Sequence, residues 1–74
     1  MKERKVLLAI GELEASVAID PKLADAYLPL GLAYITVGRK SSAIAVFEKF
    51  LALAPNHKEA AKVREIVAHE KAAP

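Results

Sequence analysis

Apolar residues recur every three or four positions along most of this chain, a period that is typical of helices packed on one face. The first stripe consists of Val6, Ile10, Leu13 and Val17 and predicts a helix over residues 2–19. Asp20 and Pro21 then end it, because the residue before a proline disfavours the helical conformation.

Leu7 and Leu8 lie beside this stripe and widen its apolar surface. We expect them to extend the core face, since the width of such faces varies between helices. The alternative is that they form a dimer surface.

A second helix is predicted over residues 23–37, where Pro29 lies close enough to the start to be tolerated. Gly38 ends it, because a left-handed residue after the last turn is most favourable as glycine. The apolar stripe of this helix consists of Ala26, Tyr27, Leu30, Ala33, Tyr34 and Val37.

The third predicted helix, 41–53, is heavily apolar, and either Ser41 or Ser42 is a candidate amino-terminal cap. Its polar side is marked by Glu48 and Lys49. Such a helix needs cover on more than one face, so it is expected in the middle of the fold.

A fourth helix is predicted over residues 57–71, after Pro55, with Asn56 and Glu59 spaced as in a capping box. Its apolar strip is narrow and its remaining surface is charged, which is typical of a helix that closes a stack against water. The strip consists of Ala60, Val63, Ile66 and Val67.

Two proline breaks set an internal period, because Pro21 and Pro55 are 34 positions apart. The preceding segments also match, since Ala9, Leu13 and Val17 correspond to Ala43, Phe47 and Leu51. A period of about 34 residues is typical of stacked helix–turn–helix units.

With these residues the chain resembles the tetratricopeptide repeat family, whose motif is carried by seven positions and the turn glycine between them. Small residues stand where two helices cross, and aromatic residues fill the space between them. The matching positions are Tyr27, Leu30, Gly31, Tyr34, Gly38, Ala43, Phe47 and Pro55. The resemblance implies an all-α fold, an α-solenoid of antiparallel helix pairs.

We expect one domain, or a fragment of one, over residues 1–74. Residues 1–23 resemble half of a preceding repeat, 24–57 form the complete repeat, and 58–74 form a closing helix and a tail. The closing helix departs from the motif, with Ala61, Arg64 and Glu65 at three of its positions. Within the complete repeat, Phe50 is large where the family usually has alanine.

The composition makes several classes of function unexpected for this chain. The chain has 11 Lys and Arg against 9 Asp and Glu, and these charges alternate rather than forming a basic stripe, so we expect no nucleic-acid partner. It has no cysteine and no apolar run of the roughly 20 residues that span a bilayer. We expect a cytoplasmic protein without a membrane partner, cofactor, metal or catalytic activity.

The resemblance implies a protein–protein interaction scaffold, in which the first helices of successive repeats line a concave groove for a peptide or helix. The groove candidates are Asp25, Leu28, Leu32, Ile35, Thr36, Glu59, Lys62 and Ile66. Because apolar Leu28 and Leu32 occupy this face, we do not expect the carboxylate clamp of some family members. The alternative is that a missing leading helix or a second copy of the chain covers the same face, which makes a homo-oligomer possible.

Two other interpretations are weaker. A DNA-binding helix-turn-helix is compatible with Gly38 in a turn, but the would-be recognition helix carries only Lys49 as a basic residue. Glu65 and His69 are four residues apart and could share a metal ion, but two ligands do not make a zinc site. Such a pair is usually a surface interaction.

Overall fold

The computed structural model describes the backbone of residues 2–72 and the side chains of residues 4–72. Four helices follow one another, and no strand occurs among these residues: α1 (Lys2–Ile19), α2 (Ala24–Thr36), α3 (Lys40–Leu53) and α4 (Ala60–Ala72). α2 packs against both α1 and α3, and α4 packs against α3. The predicted all-α architecture is confirmed, while the end of the predicted tail, residues 73–74, lies outside the described residues.

The loop between α1 and α2 is fixed by side chains. A carboxylate oxygen of Asp20 accepts the backbone N–H of Lys22 at 3.2 Å. The hydroxyl of the buried Tyr27 donates to the carbonyl oxygen of Pro21 at 2.9 Å. This second bond holds the loop against the first turn of α2.

The turn between α2 and α3 is the glycine turn that the sequence predicts. Gly38 has a φ of 80°, its N–H donates to the carbonyl of Ile35 at 3.0 Å, and the N–H of Arg39 donates to Tyr34 at 2.8 Å. These two bonds satisfy carbonyls that the helix end would otherwise leave unpaired. The left-handed residue therefore ends α2 and reverses the chain.

The start of α3 differs from the expectation. The helix begins at Lys40, so Ser41 and Ser42 lie inside its first turn, and no side chain caps it. The non-helical residue before α3 is Arg39, with φ −93° and ψ 66°, so the N-cap position is taken by a residue without a short side-chain oxygen to accept the free N–H groups.

The core is formed by all four helices, since its cluster of buried residues also includes Ile10 of α1. Its largest fully buried side chains are Leu30, Phe47, Phe50 and Val63. The backbone of α2 lies against the ring of Phe47 at Gly31, where a β-carbon would be 2.6 Å from Cζ of that ring. The absence of a side chain at this position is what allows the two helices to approach.

α4 begins at Ala60, three residues later than predicted, because two successive turns precede it. The expected capping box is wrong: the N–H of Glu59 donates to Nδ1 of His57 at 3.0 Å rather than to Asn56. The carbonyl of Pro55 accepts a hydrogen bond from Nη2 of Arg64 at 3.0 Å.

The expectation that Leu7 and Leu8 belong to the core is also wrong, since their exposed fractions are 47% and 65%. The core side of α1 is instead provided by Ile10, which is buried, and by its half-buried neighbours in the stripe. α1 is further tied to α2 by a hydrogen bond from the hydroxyl of Tyr34 to the carboxylate of Glu14.

We expect Gly31→Ala to destabilise the fold by about 1–3 kcal/mol, because the methyl group would press on the buried ring of Phe47. A matched control exists in Gly11→Ala, where a β-carbon meets nothing within 4 Å. That variant should gain about 0.5–1 kcal/mol from helix propensity. Urea unfolding followed by circular dichroism measures both changes, and equal stabilities of the two variants would contradict the packing argument.

Burial, followed by the hydrogen bond to Glu14 and the charge of that carboxylate, raises the pKa of Tyr34 from 10.0 to about 12. A raised pKa means that the folded state favours the protonated hydroxyl. The resulting stabilisation is complete below about pH 10 and is lost as the pH rises to about 12. Tyr34→Phe removes this contribution at every pH, so the difference in unfolding free energy between wild type and variant should shrink over that window. The measurement is urea unfolding of both proteins from about pH 8 to about pH 12. If the difference in unfolding free energy stays constant over this range, folding is not linked to protonation of Tyr34.

Candidate functional site

A groove runs between α2 and α4, the two helices that both pack on α3 but not on each other. Its wider part has a volume of about 360 Å³. Its narrower part, toward the amino ends of the two helices, has a volume of about 100 Å³. Leu32 and Ile66 line both parts, so the two volumes form one continuous surface, which we call the α2–α4 groove.

The middle of the α2–α4 groove is apolar. Leu32 is 47% exposed, and Leu28, Ile35 and Ile66 are half-buried around it. Val63, which belongs to the core, reaches the floor of the narrower part. Apolar surface is therefore open to solvent along the length of the groove.

Polar residues form the two ends. Glu59 and Lys62 lie at the narrower part, toward the start of α4. Glu65, His69 and Glu70 lie at the wider part, toward its end. The groove is thus an apolar strip with charged groups at both ends.

Six of the eight groove candidates from the sequence line this surface: Leu28, Leu32, Ile35, Glu59, Lys62 and Ile66. Asp25 and Thr36 do not. The hydroxyl of Thr36 donates to the backbone carbonyl of Leu32 at 3.0 Å, and Thr36 lies at the carboxyl end of α2. Binding by any of the eight residues stays a prediction.

Asp25 instead contacts His57 across the amino end of the groove, where Oδ1 is 3.0 Å from Nε2 of the imidazole. Since Nδ1 of that ring accepts the N–H of Glu59, the neutral ring carries its proton on Nε2 and donates it to Asp25. The ring also lies edge-on to Phe50, with the ring centres 5.0 Å apart. His57 therefore connects the start of α2, the core of α3 and the chain that leads into α4.

The sequence reasoning missed Glu65, His69 and Glu70 as groove residues. A signal for two of them was present in the 34-residue period, because His69 and Glu70 are equivalent to the candidates Ile35 and Thr36. Glu65 is equivalent to Gly31, and it is placed at the groove by the orientation of α4 rather than by the repeat motif.

Among the described side chains, some charged residues of α4 have a bonding partner and others form no ion pair. Nζ of Lys71 is 2.7 Å from a carboxylate oxygen of Glu48 on α3, and Arg64 donates to the carbonyl of Pro55. Within the part of the chain whose side chains are described, Glu65 and Glu70 form no ion pair. The wider part of the groove therefore carries uncompensated negative charge beside its apolar surface.

Among the described residues, no three His, Cys, Asp or Glu side chains cluster in a way that could hold a metal ion. Within residues 2–72, no helix combines the length and apolar character that crossing a bilayer requires.

Comparison with known proteins gives one match. Residues 24–57 match the family model described as tetratricopeptide repeat. Searches of curated proteins and of solved structures returned no match. The matched segment includes α2, α3 and the Gly38 turn, together with the Gly31–Phe47 approach that the motif is expected to produce. Residues 24–57 therefore match the tetratricopeptide repeat in sequence, and the structure flanks this matched segment with α1 on one side and α4 on the other.

Proposed function

We propose that the α2–α4 groove binds an amphipathic helix or an extended peptide of a protein partner. Tetratricopeptide repeats generally mediate protein–protein interaction, and the family is typically a non-enzymatic scaffold. The observation that carries the proposal is the solvent-open apolar strip between two helices that do not pack on each other.

The dimensions of the groove favour side-chain anchors as the bound groups. A volume of about 360 Å³ is at the lower end of the roughly 300–1,000 Å³ of ligand pockets. An amphipathic helix presents such anchors at spacings of three and four residues along one face. The adjoining part near Leu28 accepts the next anchor along the same line.

The distribution of polarity supports the same function. The fully buried centre of a protein interface is depleted of charge, and its rim is polar. The groove has this arrangement, with Leu32 and Ile66 at the centre, Lys62 at one end and Glu70 at the other. Anchors at the centre would supply affinity, and the ends would set the direction of the bound peptide.

We expect Leu32→Glu to weaken peptide binding at least about tenfold, because a carboxylate would be desolvated under the anchor residue. Leu32 is 47% exposed, so the change leaves the core packing in place. The matched control is Ala45→Glu, which adds the same charge at an exposed position on α3, outside the groove.

The probe is a set of labelled amphipathic peptides of about 15 residues, long enough to form a helix on binding. Affinity is measured by fluorescence anisotropy, and the bound site is mapped from the methyl NMR signals of Leu28, Leu32, Ile35 and Ile66. Equal affinities of the Leu32→Glu and Ala45→Glu variants, with circular dichroism showing both folded, would refute the proposed groove.

A further inference from the structure

α1 carries a second exposed apolar surface, on the side that faces away from α2. This α1 outer face combines large apolar, small and basic residues, all of them exposed: Arg4, Leu7, Leu8, Gly11, Ala15 and Ala18. Leu8 is 65% exposed, and a β-carbon at Gly11 would meet nothing within 4 Å. A partner can therefore approach this face without obstruction from the fold.

The repeat itself does not explain this face. With the 34-residue period, the positions equivalent to Leu7 and Leu8 in the complete repeat are Ser41 and Ser42. Both serines are exposed. α3 nevertheless has a helix packed on each side, α2 and α4. A further helix placed before α1, as α2 is placed before α3, would leave Leu7 and Leu8 exposed. Any partner that covers these two leucines therefore comes from outside the helical array.

The α1 outer face and the α2–α4 groove are complementary in charge. Arg4 and Lys5 precede the two leucines by one helical turn. At the wider part of the groove, Glu65 and Glu70 form no ion pair within the described side chains, whereas Lys71 is engaged by Glu48. The amino end of the α1 outer face is apolar and basic, and the wider part of the groove is apolar and acidic.

We propose that the helix bound in the α2–α4 groove is α1 of a second copy of this chain. Leu7 and Leu8 of one copy occupy the wider part of the groove of the next, against Leu32 and Ile66, while Arg4 lies beside Glu70. This inference rests on the proposed function, because it names the occupant of that same groove.

The contact is heterologous: each copy offers one α1 outer face and one groove, and the two are different surfaces. Association of this kind is head-to-tail and continues beyond a dimer unless a ring closes. Two leucines and a short helical face bury less surface than the roughly 1,200 Å² of a stable interface, so the association is weak and depends on concentration.

The experiment is sedimentation velocity of the wild-type chain from about 10 µM to about 1 mM. The average mass should rise above the 8.0 kDa of one chain as the concentration increases. Leu8→Glu places a charge on the α1 outer face, and Leu32→Glu places one in the groove. Each variant alone has lost one of the two binding surfaces and should stay monomeric. Ala45→Glu is the control and should associate like the wild type.

The decisive sample is an equimolar mixture of the Leu8→Glu and Leu32→Glu chains. The first retains an intact groove and the second an intact α1 outer face, so the mixture should form a one-to-one complex and no larger species. An interface of identical surfaces would not be restored in this way. The Arg4→Glu chain should associate more weakly than the wild-type chain. Adding Glu70→Arg chains should restore association, because the glutamate introduced at position 4 of one chain would then lie beside the arginine introduced at position 70 of the other.

Three results would overturn the inference: a wild-type chain that stays monomeric throughout, association that Leu8→Glu leaves unchanged, or a mixture that gives no heterodimer. The proposed function is tested separately. If amphipathic peptides bind in the groove and lose affinity in Leu32→Glu while the chain remains monomeric, the groove has a foreign partner and only the second-copy occupant is wrong.

Discussion

The approach of Gly31 to the ring of Phe47 is the contact on which the rest of the structure depends. Because no β-carbon separates them, α2 and α3 lie close enough for Leu30 and Phe47 to be fully buried. α3 is thereby held against α2, and α4 packs on α3 as well, with Phe50 and Val63 fully buried. The α2–α4 groove exists because both of its walls are held by α3 and not by each other.

Features that depend on local chain geometry could be predicted from the sequence. The left-handed Gly38 turn and the end of α1 before Pro21 are determined within a few residues, and both occur where expected. The start of α4 could not be predicted in this way. Its first turn is set by the ring of His57, whose position depends on Phe50 and on Asp25, 32 residues away. Such contacts leave no local signal, and the capping-box pattern was therefore misleading.

The candidate site was predictable to the extent that it follows the helical period. Leu28, Leu32 and Ile35 lie beside the buried stripe of α2, and their position in the groove follows from their spacing of three and four residues. Asp25 has the same period but contacts His57, because a partner 3.0 Å away is more favourable than an open groove wall. The exposure of Leu7 and Leu8 could not be predicted from the helical period, since apolar character alone does not distinguish a core face from an exposed one.

The carbonyls of the two equivalent prolines, Pro21 and Pro55, both accept a side-chain hydrogen bond, but from different donors. The carbonyl of Pro21 accepts from Tyr27, which has Ala61 as its equivalent 34 residues later. The carbonyl of Pro55 accepts instead from Arg64, one helical turn beyond Ala61. Positions 61 and 64 are therefore coupled. Replacing Arg64 with the leucine of the motif would remove the hydrogen bond to the exposed Pro55 carbonyl, and a tyrosine at position 61 would supply the donor that Tyr27 supplies to Pro21. Because the two side chains would serve the same carbonyl, we expect the effects of the two substitutions on stability to be non-additive.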